Sequence, residues 1–174
     1  RTVTNLLDFS RQREIRPEPT SINHNLRHVV ELVGYQLRRA DIEVVFDLDE
    51  GEAQVMADHF QMEQLFLNLV LNAIDAMPDG GTLNLKTRLR AGNVIAEVTD
   101  TGTGIPEDIR DRLFDPFFTT RDVGEGTGLG LAVSDSIVAA HGGAIEVESK
   151  VGQGTTFRLR FSGLSDAATE GSAG

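Results

Sequence analysis

The apolar residues of this chain switch repeatedly between helical and strand spacing, and the order of the switches limits the fold. Ile22, Leu26, Val29, Val30, Val33 and Leu37 recur as one helical stripe, with Thr20 or Ser21 placed to cap it. Ile42, Val44, Phe46 and Leu48 alternate with mostly acidic neighbours, which predicts a half-buried strand over 42–48 leading to a Glu50-Gly51 turn. Gln54 to Ala57 can add a short strand. Asp58 can cap a long helix whose apolar face, Met62, Leu65, Phe66, Leu69, Val70, Ala73 and Met77, ends at Pro78-Asp79-Gly80-Gly81. Leu83 to Leu89 and Val94 to Val98 alternate around Ala91-Gly92-Asn93 as a hairpin. Leu129 to His141 is helical again until Gly142-Gly143, and residues 144–149 and 155–161 predict a closing strand pair. Helix, strand, helix, hairpin, helix, hairpin is neither a βαβ repeat nor an all-β pattern. It predicts an α/β two-layer sandwich, a mixed sheet with helices on one face.

With 174 residues, 40% of them hydrophobic, the chain can bury one core and carry a short appendage. Its 27 acidic against 16 basic residues give a formal charge of −11, which opposes a nucleic-acid partner. No stretch reaches the ~20 apolar residues of a membrane span, and no signal-peptide pattern opens the chain. A cytoplasmic piece without direct membrane contact is expected, whether or not its parent is anchored. The absence of cysteine rules out disulfides and thiolate zinc sites. The chain opens at Arg1 in mid-pattern, and Val3, Leu6, Leu7 and Phe9 read as the last turns of an amphipathic helix stopped by Pro17 and Pro19. A fragment of a longer protein is therefore expected. Residues 163–174, rich in Gly, Ser and Ala, read as a disordered tail.

Four segments carry chemistry. Asn68 and Asn72 are one helical turn apart, so both amides leave the same face. An amide oxygen suits Mg²⁺, which keeps several waters and draws other ligands from phosphates; two solvated helix residues are the structural alternative. Asp100 follows an apolar strand and precedes Gly102-Thr-Gly104, which places a carboxylate at the sheet edge, able to accept from an amino group. A plain Asp-capped turn would look the same. Gly124, Gly126, Gly128 and Gly130 open a helix, where free N–H groups and the helix dipole make an anion site. Residues from about 115 to 127 hold Arg121 and little that could form a core, and read as a mobile lid. Phe114, Phe117 and Phe118 can anchor that lid to the domain or a partner helix, or simply staple a surface loop.

Taken in order, Asn68-Leu-Val-Leu-Asn72-Ala-Ile-Asp75, Asp100-Thr-Gly102-Thr-Gly104, Phe114-Asp-Pro-Phe117-Phe118 and Gly126-Thr127-Gly128-Leu129-Gly130-Leu131 resemble the N, G1, F and G2 boxes of sensor histidine kinases. The match is to their ATP-binding domain, in the nitrogen-regulation-sensor-like subgroup, within the wider family shared with gyrase, MutL and heat-shock chaperone ATPases. It covers roughly residues 18–162 and implies a Bergerat fold. The implied domains are the end of a dimerisation and phosphoacceptor hairpin over 1–16, a catalytic domain over 17–162 and the tail.

The resemblance implies ATP and Mg²⁺ as cofactors, with Asn72 on the metal and Asn68, Asn72 and Arg121 as the catalytic set. Asp100 would accept the adenine N6 hydrogen bond and Ile105 would pack on the ring. Asp75, Gly102, Gly104, Phe117, Arg121, Gly124, Gly126, Thr127, Gly128, Leu129, Gly130, Leu131 and Thr155 complete the implied ATP site.

Two departures from the family pattern matter. Arg121 stands where such kinases usually carry lysine, which keeps the charge but changes the geometry. Asn68 stands where the hydrolases place a glutamate, and an amide cannot serve as a general base, which favours transfer to another acceptor over transfer to water. The resemblance makes that acceptor a histidine on a helical hairpin of the same protein, usually in a homodimer, with a response regulator as the next partner. No His-Glu-x-x-Arg segment occurs in these residues. His24 and His28, at i and i+4, read as solvated positions, and His59 and His141 as helix-end residues. The alternatives are an anti-sigma-type protein serine kinase and a non-catalytic nucleotide-sensing module.

Overall fold

A computed structural model describes residues 15–51, 53–115 and 130–164. The elements are β1 (Glu18–Ser21), α1 (Ile22–Leu32), α2 (Gly34–Arg39), β2 (Ile42–Asp47), β3 (Gln54–Ala57), α3 (His59–Ala76), β4 (Gly81–Arg90), β5 (Asn93–Asp100), α4 (Glu107–Arg110), α5 (Gly130–Ala140), β6 (Ala144–Lys150) and β7 (Gly154–Ser162). Five strands form one sheet in the order β2-β4-β5-β7-β6, with β2 parallel to β4 and the other pairs antiparallel. β1 and β3 form a separate antiparallel pair. The two-layer sandwich expected from the residue pattern is the fold observed, with the Bergerat-type architecture that the resemblance implies.

The alternation along the hairpin strands explains the layers. Leu83, Leu85, Val94, Ala96, Val98, Phe157, Leu159 and Phe161 are buried, and α3 lays Met62, Leu65, Phe66, Leu69, Val70 and Ala73 into the same core. The opposite face of the sheet is polar: Arg158 reaches Glu97 on β5 and Glu148 on β6.

Several local details differ from expectation. The stripe from Ile22 to Leu37 is split into α1 and α2 at Val33, and Ser21 rather than Thr20 caps it, accepting from the His24 N–H. Pro19 lies inside β1, where a missing N–H is tolerated because this is an edge strand. β2 buries only Ile42 fully, and Phe46 is exposed because β2 borders the sheet. The β4–β5 loop is shorter than expected, a two-residue turn with positive φ at Ala91 (51°) and Gly92 (80°). Residues 1–14 and 165–174, which hold the expected helix end and most of the expected tail, lie outside the described residues.

The start of α3 is a junction. Asp58 Oδ1 accepts from the N–H groups of Phe60 and Gln61, and its Oδ2 accepts from the Arg16 N–H. The Asp58 N–H donates to His141 Nε2, while His141 Nδ1 donates to the Ile137 carbonyl at the end of α5. α5 itself closes with paired bonds from Gly143 to Val138 and from Gly142 to Ala139.

Burial pushes the Asp58 carboxyl up, but the N–H groups of Arg16, Gln61 and Phe60 outweigh it and hold it below the ordinary aspartate value. A depressed carboxylate stabilises the fold at pH values above its unfolded pKa, and that contribution is lost as pH falls through the folded one. Asp58→Ala is therefore expected to lower the unfolding free energy by about 1–2 kcal/mol at pH 7. Denaturant titration at a series of pH values checks it: the gap between variant and parent should narrow on acidification.

Candidate functional site

The site is built where the end of β5 meets the end of α3. Alternation along β5 turns Asp100 to the buried side, at 5% exposure, although it is the last residue of the strand. Its Oδ1 accepts from the Gly102 N–H at 2.9 Å, and the Thr155 N–H of the neighbouring strand also donates to the carboxyl. Burial raises the Asp100 pKa above the ordinary value, and these two donors offset that only in part. A carboxylate held in this way retains accepting capacity and lacks the water that would use it.

The loop after Asp100 is pressed between two carbonyls. Thr103 N–H donates to the Ala76 carbonyl at 2.9 Å, on the last residue of α3, and a Cβ on Gly102 would collide with that same oxygen. On the other side Gly104, at φ +76°, runs against the Lys150 carbonyl, while the Gly152 N–H donates to Thr103 O at 2.9 Å. Both glycines are required by close backbone approach. The Thr101 hydroxyl accepts from the Thr82 N–H, which ties the same loop to the start of β4.

α3 carries Asn68 and Asn72, both partly buried, and the exposed Asp75. The loop bearing Asp100 thus sits one turn beyond Asn72. α5 packs beside α3, and the His141–Asp58 bond puts the end of α5 at the start of α3, so the two run in opposite directions. At 1.5 Å per residue, α5 spans about 16 Å, which brings Gly130 abreast of roughly residue 68. The helix start expected to hold anions and the asparagine face of α3 are therefore neighbours. Gly130 opens α5 and Leu131 is half-buried. Phe117, Arg121, Gly124, Gly126, Thr127, Gly128 and Leu129 lie outside the described residues, as does Phe118.

Thr155, 4% exposed, is paired in register with Asp100, which places the expected threonine beside the carboxylate. Ile105 is half-buried at the mouth of the same loop. Ser149 and Arg110 were not anticipated. Ser149 Oγ accepts from the Ile105 N–H at 2.7 Å and lies 2.8 Å from Thr155 Oγ1, while Arg110 donates to the Ser149 carbonyl at 2.7 Å. Folding the hairpin about residues 151–153 pairs Ser149 with Thr155, so Ser149 could have been found from a correct register.

No group of three or more His, Cys, Asp or Glu side chains suited to a metal occurs among the described residues. The donor set fits Mg²⁺ carried by a phosphate chain, which needs one or two protein oxygens and several waters. His28 pairs with Glu63 and stacks near His24, which itself stacks near His59, so His28 is engaged rather than simply solvated.

Removing the Asp100 charge has a signed consequence for stability. A raised carboxyl pKa means the folded state binds the proton more tightly, so the charge destabilises the fold above the folded pKa and ceases to do so below the unfolded one. Asp100→Asn is expected to raise the thermal midpoint of the ligand-free protein at pH 7, by about 2–4 °C for each kcal/mol regained. The gain should vanish in acid. Calorimetric scans across pH read this directly.

Comparison with known proteins places these features. Residues 57–163 match the family model described as histidine kinase-, DNA gyrase B- and HSP90-like ATPase. The sensor kinase CckA of Brucella abortus (strain 2308) is 42% identical over 172 residues, covering 90% of this chain. The chain spans 18% of that relative's length. Full-length ShkA, solved in complex with AMPPNP, superposes with a TM-score of 0.81 at 31% identity, covering 91% of this chain and 34% of that one. Histidine kinase ThkA, solved with the response regulator protein TrrA, gives 0.78 at 27% identity, covering 94% and 47%.

Proposed function

As the chain belongs to the histidine kinase-, DNA gyrase B- and HSP90-like ATPase family, we propose that its pocket binds Mg-ATP for transfer of the γ-phosphate to a protein histidine. The acceptor lies on a helical hairpin of the same protein, in a homodimer, and a response regulator receives the phosphate next. The observation that carries this reading is the buried Asp100 carboxylate, held one turn beyond Asn72 by the contact of the Gly102 loop with the Ala76 carbonyl.

Asp100 accepts from the adenine amino group; guanine presents an oxygen at that place and meets acceptor with acceptor. Ile105 flanks the ring and Thr155 lies beside the carboxylate. Asn72 would hold Mg²⁺, which when bound neutralises phosphate charge against a chain of formal charge −11. Arg121 and the glycines from Gly124 to Gly130 would receive the phosphates. Asn68 orients without abstracting a proton, so water is a poor acceptor in this site. The likeness to ShkA, solved with AMPPNP, supports the nucleotide; the likeness to ThkA, solved with TrrA, supports the response regulator.

No His-Glu-x-x-Arg segment occurs in these residues, and two of the four histidines are already engaged: His141 is bonded on both ring nitrogens and His28 is paired with Glu63. The 174-residue chain is expected to bind Mg-ATP yet to incorporate little phosphate from radiolabelled ATP. Acid-stable label on it would contradict histidine transfer and favour a hydroxyl acceptor, as in the anti-sigma-type serine kinases.

Asn72→Ala should weaken Mg-dependent nucleotide binding by about tenfold or more while the far-UV spectrum is unchanged. Asn68→Glu should raise steady-state ATP hydrolysis by restoring a base beside the phosphates. Unfolding of Asn72→Ala with normal nucleotide affinity in the folded fraction would make Asn72 a structural residue.

A further inference from the structure

Ser149 lies on β6, opposite Thr155 in register, and Thr155 is in turn opposite Asp100. A serine hydroxyl has one proton and two lone pairs. One lone pair is taken by the Ile105 N–H at 2.7 Å. The proton has two possible acceptors, the Gly154 carbonyl at 3.1 Å and Thr155 Oγ1 at the shorter 2.8 Å. When it goes to Thr155 Oγ1, the Thr155 proton must turn away from Ser149 and Thr155 becomes a donor on its other side. Arg110 donates to the Ser149 carbonyl at 2.7 Å and holds that stretch of β6 in place.

The direction of the Thr155 hydroxyl matters because of what lies next to the 6-position of a purine. Adenine N1 is a bare acceptor, which a donating hydroxyl satisfies directly or through one water. Guanine N1 carries a hydrogen, so a hydroxyl locked as donor faces another donor. A hydroxyl free to rotate could accept from guanine instead. We propose that Ser149 is a positioning residue for purine selection: of its two acceptors it gives its proton to the nearer, Thr155 Oγ1, which makes that hydroxyl a donor beside Asp100, and through the same oxygen it holds the Ile105 backbone where the base packs. The proposal rests on the reading of Asp100 as the acceptor for the adenine amino group. Its effect on selectivity is negative, because it acts by rejecting guanine.

The test is calorimetric titration of the 174-residue chain with Mg-ATP and with Mg-GTP. Ser149→Ala is expected to narrow the ATP to GTP affinity ratio by about tenfold, with Ser149→Thr keeping the parent ratio. In a Thr155→Val background Ser149→Ala should change the ratio no further, because the hydroxyl it controls is gone. Equal losses for both nucleotides, an unchanged ratio, or a full effect persisting beside Thr155→Val would each overturn the proposal and leave Ser149 a structural residue. Asp100→Asn separates the two levels: if it collapses the ratio while Ser149→Ala does not, the Ser149 proposal alone fails. If Asp100→Asn leaves the ratio intact, the acceptor reading fails and takes the proposal with it. Should Ser149→Ala not fold, Ser149→Cys, which keeps size but donates weakly, replaces it with the same outcomes.

Discussion

A carboxylate taken out of water must be compensated by donors fixed in place, and much of the local structure around Asp100 follows from that requirement. One donor is the Gly102 N–H, which is within reach only because the loop folds back on itself immediately after β5. The other is the Thr155 N–H, supplied by the antiparallel pairing of β5 with β7. The loop can fold so tightly only if Gly102 clears the Ala76 carbonyl and Gly104 clears the Lys150 carbonyl. The carboxylate, the end of α3 and the β6–β7 turn are therefore positioned by one set of contacts. An acceptor left short of water at the mouth of such a loop costs folding free energy, and a ligand amino group can recover part of it.

α3 connects this pocket with the rest of the domain. Its far end is capped by Asp58, which also receives Arg16 from the entering chain and donates to His141 at the close of α5. Its near end presents the Ala76 carbonyl to the loop of Gly102 and Thr103. Asn68 and Asn72 lie between, on a helix fixed at both termini by contacts beyond its own hydrogen-bond ladder. Displacement of the entering chain at Arg16 would be felt first at Asp58, at the opposite end of α3 from the Gly102 loop. The antiparallel packing of α5 on α3 sets the start of α5 beside the asparagines.

Much of this could be read from residue order, and the exceptions have physical causes. Asp58 as a cap, the stripe from Met62 to Met77, the β4–β5 hairpin and the placement of Asp100 at a strand end are local patterns, and each is observed. The break at Val33 was not legible, because Val33 and Leu37 continue the apolar period through it and both are buried. β1 was hidden by Pro17 just before it and Pro19 within it, which signal a helix stop as readily as an edge strand. Ser149 escaped notice because its importance depends on register: it is polar, half-buried and unremarkable until β6 is laid against β7 and Thr155 against Asp100. Strand order, with parallel β2 beside β4, is set by tertiary packing and leaves no local mark.

The central claim is that the Asp100 carboxylate accepts from the amino group of adenine. The most direct measurement compares the affinity of the 174-residue chain for Mg-ATP and for the magnesium triphosphate of purine riboside, which differs only in lacking that amino group. A hydrogen bond to a charged, buried acceptor is worth about 1.5–3 kcal/mol, so the analogue should bind roughly ten- to a hundredfold more weakly, and Asp100→Asn should lose most of the difference. Equal affinities in the parent protein would contradict the claim and remove Asp100 from the base-recognition site.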